Sequence, residues 1–144
     1  MKSNKNLDIL VDILHGAVFT LFLYSAINKT IGFSNFVNEL DKSIFFTNLN
    51  TSFIAYSIIM LEYLIPMLLF FVRTKRLGYI LSFFLLMLFT IYIAMIFKFS
   101  PYLPCSCGGL IAALSWKQHF VFNILFMSIS AFLVVYIKHE KSNI

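Results

Sequence analysis

Four long apolar stretches dominate the hydrophobic pattern of the chain, and short polar segments separate them. The stretches extend over residues 9–27, 53–72, 77–97 and 119–137. A helix needs about 20 predominantly apolar residues to cross the hydrocarbon core of a bilayer. Each stretch is therefore predicted to be a membrane-spanning helix. Together they predict an all-α fold, a four-helix transmembrane bundle that forms a single domain over residues 1–144.

The ends of the first stretch decide whether it is a retained helix or a cleaved secretory signal. Its apolar part is longer than the core of a signal peptide, and it ends without a pair of small residues at cleavage spacing. We expect it to remain as the first helix of the bundle.

A fifth, shorter pattern lies between the first two stretches, in residues 28–52. Apolar side chains recur there at helical spacing, at Phe33, Phe36, Val37, Leu40 and Ile44. This spacing predicts a short amphipathic helix on the membrane surface, which would act as a lid or an anchor.

The composition agrees with a bilayer environment. Of the 144 residues, 60% are hydrophobic and only 12% are charged, and the mean hydropathy is +0.89. A water-soluble domain of this size needs a more polar surface. The formal charge of +5 is accounted for by membrane orientation and anionic lipid headgroups, so we expect the lipid bilayer and no nucleic acid as a partner.

Positive charge indicates how the spans are oriented. Seven lysines and arginines flank the helices on one side, namely Lys2, Lys5, Arg73, Lys75, Arg76, Lys138 and Lys141. Four flank them on the other, namely Lys29, Lys42, Lys98 and Lys117. Cytoplasmic flanks carry the excess of positive charge. The sequence thus predicts a multi-pass protein of the bacterial inner (cytoplasmic) membrane with both termini in the cytoplasm.

The two cysteines of the chain, Cys105 and Cys107, lie in a loop predicted to be extracytoplasmic, and Gly108 and Gly109 follow them. Disulfides form on that oxidising side. Two residues of extended chain span at most about 7 Å, and a disulfide needs α-carbons roughly 4.4–6.8 Å apart. The small ring would be strained and therefore easily reduced. The pair predicts thiol–disulfide exchange.

Two other interpretations of the cysteines remain open. They could stabilise the loop or carry a lipid near the interface. They could also bind copper(I), which soft thiolates select, with His119 as a further ligand. The copper site lacks the second cysteine pair or Met-x-Met run that would support it, so we predict no metal.

Glu62 is the main ionisable residue inside a predicted span. It lies halfway along the second stretch, which at about 1.5 Å per residue places it near the bilayer midplane. Such a group is expected to be protonated or paired. His15 and Asp12 in the first stretch are candidate partners or water-contacting groups, and Asp12 could instead extend toward the interface. Glu62 could fix helix packing through a hydrogen bond or handle protons.

The start of the fourth stretch offers a second polar group. Trp116, His119, Phe120 and Asn123 share one helix face just below the cysteine loop. Three tyrosines lie at a similar depth, each about 8 Å outward of its helix midpoint, namely Tyr24, Tyr56 and Tyr92. This layer could receive a quinone ring, with His119 stabilising a thiolate or taking its proton. The alternative, which we favour for the tyrosines, is an interfacial aromatic belt.

Several motifs together carry a family resemblance. They are Ser25-Ala26-Ile27-Asn28-Lys29, Glu62, Phe89-Thr90-Ile91-Tyr92, Pro104-Cys105-Ser106-Cys107-Gly108-Gly109, and Leu114-Ser115-Trp116 with His119, Phe122 and Asn123. In these motifs, and over nearly all of its length, the chain resembles the MauE branch of the DoxX-like membrane proteins.

The resemblance implies a four-helix membrane protein associated with redox chemistry. MauE is implicated in forming the disulfides of the methylamine dehydrogenase light subunit, and DoxX relatives include a subunit of a thiosulfate:quinone oxidoreductase. By resemblance, Cys105 and Cys107 receive a redox role. Glu62, Trp116, His119 and Asn123 match the family pattern without an assigned role.

The leading hypothesis is a membrane thiol–disulfide exchange protein that acts on a thioredoxin-like or substrate protein outside the cytoplasm. Electrons would pass to or from a membrane quinone or another membrane partner. The alternative is a non-catalytic assembly subunit or scaffold of a quinone-linked oxidoreductase, with structural cysteines. A transporter that uses Glu62 ranks third. Cys105→Ser separates the first two, because it removes activity in one case and the protein itself in the other.

Overall fold

The computed structural model describes residues 5–43, 46, 49–99 and 116–142. These residues form five α-helices, which are α1 (Lys5–Ile31), α2 (Phe33–Asp41), α3 (Thr51–Phe70), α4 (Lys75–Phe99) and α5 (Trp116–Ser142). All but α2 are long and apolar enough to cross a membrane. The prediction of four spans with a short helix between the first two is confirmed.

The helices extend beyond the apolar stretches that predicted them. Helix α1 begins at Lys5 and ends at Ile31, whereas its apolar stretch covers residues 9–27. The pattern marks only the part that suits hydrocarbon, while backbone hydrogen bonding continues into the polar flanks. Helix α3 is the exception, because it ends at Phe70. The turn between α3 and α4 consists of residues 71–74, and Lys75 and Arg76 already belong to α4.

The spanning helices pack in the order α1, α3, α4 and α5, with α5 returning to α1. A hydrophobic cluster fills the bundle from its middle, at Val18, to the end where α1 begins, at Leu69 and Leu133. The Tyr136 hydroxyl at the far end of α5 donates to Asp8 Oδ1 at 2.9 Å. The start of α1 and the end of α5 thus meet at the same end of the bundle, which we call the packed end.

Helix α2 lies at the opposite end and packs on α3 and α1. Asp41 at its end accepts a hydrogen bond from the Thr51 hydroxyl at the start of α3. Leu40 is buried, whereas Ser34, Asn35 and Asn38 are exposed. The predicted amphipathic character is confirmed. The end formed by α2 together with the end of α1 and the start of α3 and α5 is called the cavity end.

Candidate functional site

A cavity of about 370 Å³ lies at the cavity end, among the four spanning helices and α2. Most of its wall is apolar and is contributed by side chains such as Phe22, Phe36, Leu40, Phe89 and Phe122. Polar side chains enter this wall from α1, α3, α4 and α5, namely Ser25, Lys29, Glu62, Tyr92, His119 and Asn123. The cavity is thus an apolar space with a few convergent polar groups, which is typical of small-molecule sites.

A buried ion pair forms the centre of the polar wall. Lys29 Nζ lies 2.6 Å from Glu62 Oε1, and the two side chains are only 9% and 1% exposed. Ser25 Oγ donates to the same carboxylate oxygen at 3.0 Å and accepts from Lys29 Nζ at 2.6 Å. Ser25 and Lys29 are one turn apart on α1 and therefore share a helix face. They deliver a hydroxyl and an ammonium to the same oxygen.

Two aromatic rings enclose the Lys29 ammonium. Nζ lies 5.6 Å from the centroid of the Phe36 ring on α2 and 5.5 Å from that of the Phe89 ring on α4. At these distances the ring quadrupoles attract the cation. Helix α2 therefore helps to hold the ion pair, as well as covering the cavity.

Helix α5 contributes two buried polar residues to the same cavity, His119 and Asn123. They are four residues apart and so lie on one helix face. Neither His119 Nδ1 nor Asn123 Nδ2 has a hydrogen-bond partner among the described residues, and the same is true of Glu62 Oε2. A buried polar atom without a partner costs about 1–3 kcal/mol. Three such atoms beside one cavity leave hydrogen-bonding capacity that no described residue uses.

The match to known proteins agrees with the motifs. Residues 7–136 match the family described as methylamine utilisation protein MauE. The chain belongs to the MauE family. The match extends into all four spanning helices, as the sequence motifs predicted. No curated protein and no solved structure matches the chain.

The structure brings together residues that carried the MauE resemblance in separate parts of the sequence. Four of the motifs contribute side chains to the cavity wall, namely Ser25, Lys29, Glu62, Phe89, Ile91, Tyr92, His119, Phe122 and Asn123. The most distant of these residues, Ser25 and Asn123, are 98 positions apart along the chain. These four motifs therefore form one wall around one cavity.

Of the two alternatives for His15 and Asp12, the one that made them partners of Glu62 was wrong. The carboxylate lies level with Ser25, to which it is hydrogen-bonded. His15 is ten residues from Ser25, about 15 Å along the helix axis. His15 Nδ1 instead makes a 2.5 Å hydrogen bond with the Tyr79 hydroxyl, and Asp12 is exposed. Only the register between α1 and α3 determines which side chain meets Glu62.

Lys29 and Ser25 are the functional candidates that sequence reasoning missed as a site. Lys29 was counted among the loop charges because the apolar stretch ends at residue 27, but α1 continues to Ile31 and turns Lys29 into the bundle. A signal was present in the sequence. Ser25 and Lys29 are one turn apart, so in a helix they lie on one face. A surface loop would not require that spacing.

The three tyrosines predicted to form one layer lie in different surroundings. Tyr92 lines the cavity. Tyr24 and Tyr56 are exposed and are not among its lining residues, and the Tyr56 ring packs against Phe33 of α2 at 4.5 Å between centroids. Phe120 is half-buried and also lies off the lining, where Phe122 takes its place.

The cysteine segment lies outside the described residues, and it includes Cys105, Cys107, Gly108 and Gly109. Trp116 is the first residue of α5. The helices that flank the cysteine segment are informative. Met95, one turn before the end of α4, and His119, three residues into α5, both line the cavity. Among the described residues there is no group of three His, Cys, Asp or Glu side chains that could hold a metal ion.

Proposed function

We propose that this MauE-family protein carries out thiol–disulfide exchange through Cys105 and Cys107 on the extracytoplasmic side of the membrane. Its partner would be a thioredoxin-like or substrate protein that needs disulfide formation or maturation, as in methylamine utilisation. One observation carries the proposal. The cavity that contains the buried ion pair reaches within about one turn of both helix ends that flank the cysteine segment, at Met95 of α4 and His119 of α5.

The charge distribution supports an extracytoplasmic cavity end. Because Lys29 is neutralised by Glu62 inside the bundle, the flanks at the cavity end retain only Lys42, Lys98 and Lys117. The seven positive residues of the opposite flanks are unchanged. Cytoplasmic flanks are the more positive ones, so the packed end is assigned to the cytoplasm. The cysteines then face the compartment in which disulfides persist.

The proposed reaction balances as follows. Two thiols of the partner protein are oxidised to a disulfide while the Cys105–Cys107 disulfide is reduced to two thiols, through a mixed disulfide. To be oxidised again, the pair must lose two electrons and two protons. The sequence contains no further cysteines, so these pass directly to an acceptor in the membrane, a quinone that becomes a quinol.

The test is the redox state of the pair in cells. Thiols are trapped by acid quenching and alkylated before and after reduction, with a membrane-impermeant reagent in parallel. We expect the pair to be accessible from outside and to shift between oxidised and reduced forms when the quinone pool is depleted. Cys105→Ser or Cys107→Ser should trap a mixed disulfide with a partner protein, whereas Ser106→Ala, placed between them, should behave as the wild type.

Other outcomes contradict the proposal. A pair that stays oxidised under every condition is a structural disulfide, and a pair that stays reduced and shielded contradicts the orientation or the redox role. Loss of the protein from the membrane in both cysteine variants would favour the scaffold of a quinone-linked oxidoreductase.

A further inference from the structure

The partnerless atoms of the cavity define what kind of molecule can fill it. Asn123 Nδ2 is a hydrogen-bond donor and Glu62 Oε2 is an acceptor. His119 Nδ1 is the third partnerless atom of the wall. The three residues are each more than nine-tenths buried. A complementary molecule brings an oxygen that accepts from Asn123 and a hydroxyl that donates to Glu62. Its remaining surface is apolar, because the rest of the wall is.

The cavity also reaches the surface of the bundle that faces lipid. Leu61 of α3 and Leu88 and Ile91 of α4 belong to its lining, yet they are 41%, 58% and 46% exposed. These helices are membrane spans, so that exposure is toward hydrocarbon. A molecule dissolved in the bilayer can enter between α3 and α4 without crossing water.

From these two observations we infer that the cavity binds a lipid-soluble quinone and its quinol. A quinone carbonyl accepts from Asn123 Nδ2, and a quinol hydroxyl donates to Glu62 Oε2. The ring lies in the aromatic part of the wall that includes Phe89 and Phe122, while the isoprenoid tail leaves through the opening beside Leu88. A volume of about 370 Å³ is within the range of roughly 300–1,000 Å³ for small-molecule sites.

This inference deepens the proposed function and rests on it for one point, that the electron donor is the cysteine pair. When Cys105 and Cys107 form their disulfide, the two thiols lose two electrons and two protons. The quinone gains both as its two carbonyl oxygens become hydroxyls. Binding itself requires neither cysteine, so the site can be tested separately from the exchange reaction.

The experiment measures equilibrium binding of a decyl-tailed benzoquinone analogue to the full chain in lipid nanodiscs, with Cys105→Ser/Cys107→Ser as the background. We expect saturable binding above partition into empty nanodiscs. Asn123→Leu, which removes the donor at nearly constant volume, should weaken binding about tenfold. Ser130→Ala is the matched control, since Ser130 is buried on the same helix with a partnerless hydroxyl but does not line the cavity.

A second variant keeps the test decisive if Asn123→Leu fails to fold. Leu88→Trp places a larger side chain at the opening on an exposed position, and it should also weaken binding. Leu125→Trp on α5 is its control, because Leu125 is equally exposed but lies off the lining. Binding that is non-saturable, or that is the same in the cavity variants and their controls, would overturn the inference.

Failure of the site and failure of the exchange function give different results. If the analogue binds as expected but the cysteine pair never changes redox state in cells, the exchange function is wrong and the quinone site stands. If the pair does change redox state but no analogue binds, the site is wrong and another acceptor takes the electrons.

Discussion

The two ends of the bundle are built from the same four helices but are filled in opposite ways. At the packed end, Leu69 and Leu133 are completely buried and Tyr79 is only 1% exposed. At the cavity end, the same helices enclose about 370 Å³. Both ends are mainly apolar. Packing, and not composition, distinguishes the end that stabilises the fold from the end available to a ligand.

The two histidines within the spans show the same difference. His15 in the packed half has its Nδ1 hydrogen-bonded to the Tyr79 hydroxyl of α4, so it joins two helices. His119 at the cavity end has its Nδ1 partnerless among the described residues. A polar group that is satisfied by a neighbouring helix contributes to stability, whereas one left unsatisfied beside a cavity costs stability and is available for binding.

The largest loss of stability is expected from breaking the buried ion pair between Lys29 and Glu62 at the cavity end. Lys29→Met leaves the Glu62 carboxylate buried without its cation, and removing one partner of a buried pair costs about 3–5 kcal/mol. The melting temperature of the purified protein in detergent should fall sharply. Lys29→Met/Glu62→Met, which removes both charges, should regain most of the loss. Equal destabilisation of the single and double variants would show that the two residues are not coupled.

An intermediate effect is expected from adding one methyl group at the packed end. A Cβ at Gly78 would lie 2.8 Å from Leu69 Cδ2 and 3.0 Å from its Cγ, and Leu69 is fully buried. Gly78→Ala should therefore cost about 1–3 kcal/mol through overpacking. Gly16→Ala is the control, because nothing lies within 4 Å of a Cβ there.

Thermal unfolding of the two glycine variants side by side measures this difference. Gly16→Ala should unfold at or slightly above the wild-type temperature, since alanine favours the helix. If both variants unfold at the same temperature, the interface between α3 and α4 at the packed end is looser than the structure shows.

The smallest effect on stability is expected from replacing each of the two histidines. His15→Leu deprives the Tyr79 hydroxyl of its partner and should cost about 1 kcal/mol, the usual scale of a hydrogen bond between membrane helices. His119→Leu removes a ring nitrogen that has no partner among the described residues, and stability should stay the same or rise. Melting temperatures in one detergent provide the comparison. A greater loss of stability in His119→Leu would contradict the division of the molecule into a packed end and a cavity end.

Helix positions were predictable because they depend on local pattern. Runs of apolar residues predicted four spans, and the spacing of Phe36 and Leu40 predicted α2. The ends of the helices were less accurate. Hydropathy follows solvent preference, while a helix ends where its backbone hydrogen bonds end, as the continuation of α1 to Ile31 shows.

The candidate site was predictable only in part. Glu62, His119 and Asn123 were identifiable because polar residues inside apolar spans are rare, and Tyr92 joined them at the cavity. The sequence pattern places Lys29 in a loop and offers His15 as a candidate partner of Glu62, and the structure contradicts both. Both errors concern contacts between helices, which depend on the relative register of α1 and α3 and not on the pattern within either helix.

By itself, the sequence determined the membrane environment, the number of spans, the amphipathic helix and the family, because each depends on residues close together in the chain or on motifs that can be recognised in order. Only the tertiary structure decided that Lys29 meets Glu62, that His15 meets Tyr79, and that residues from four helices leave an apolar cavity with partnerless polar atoms. The physical reason is that a cavity is the space between side chains of different helices, and its size and lining follow from their register and packing.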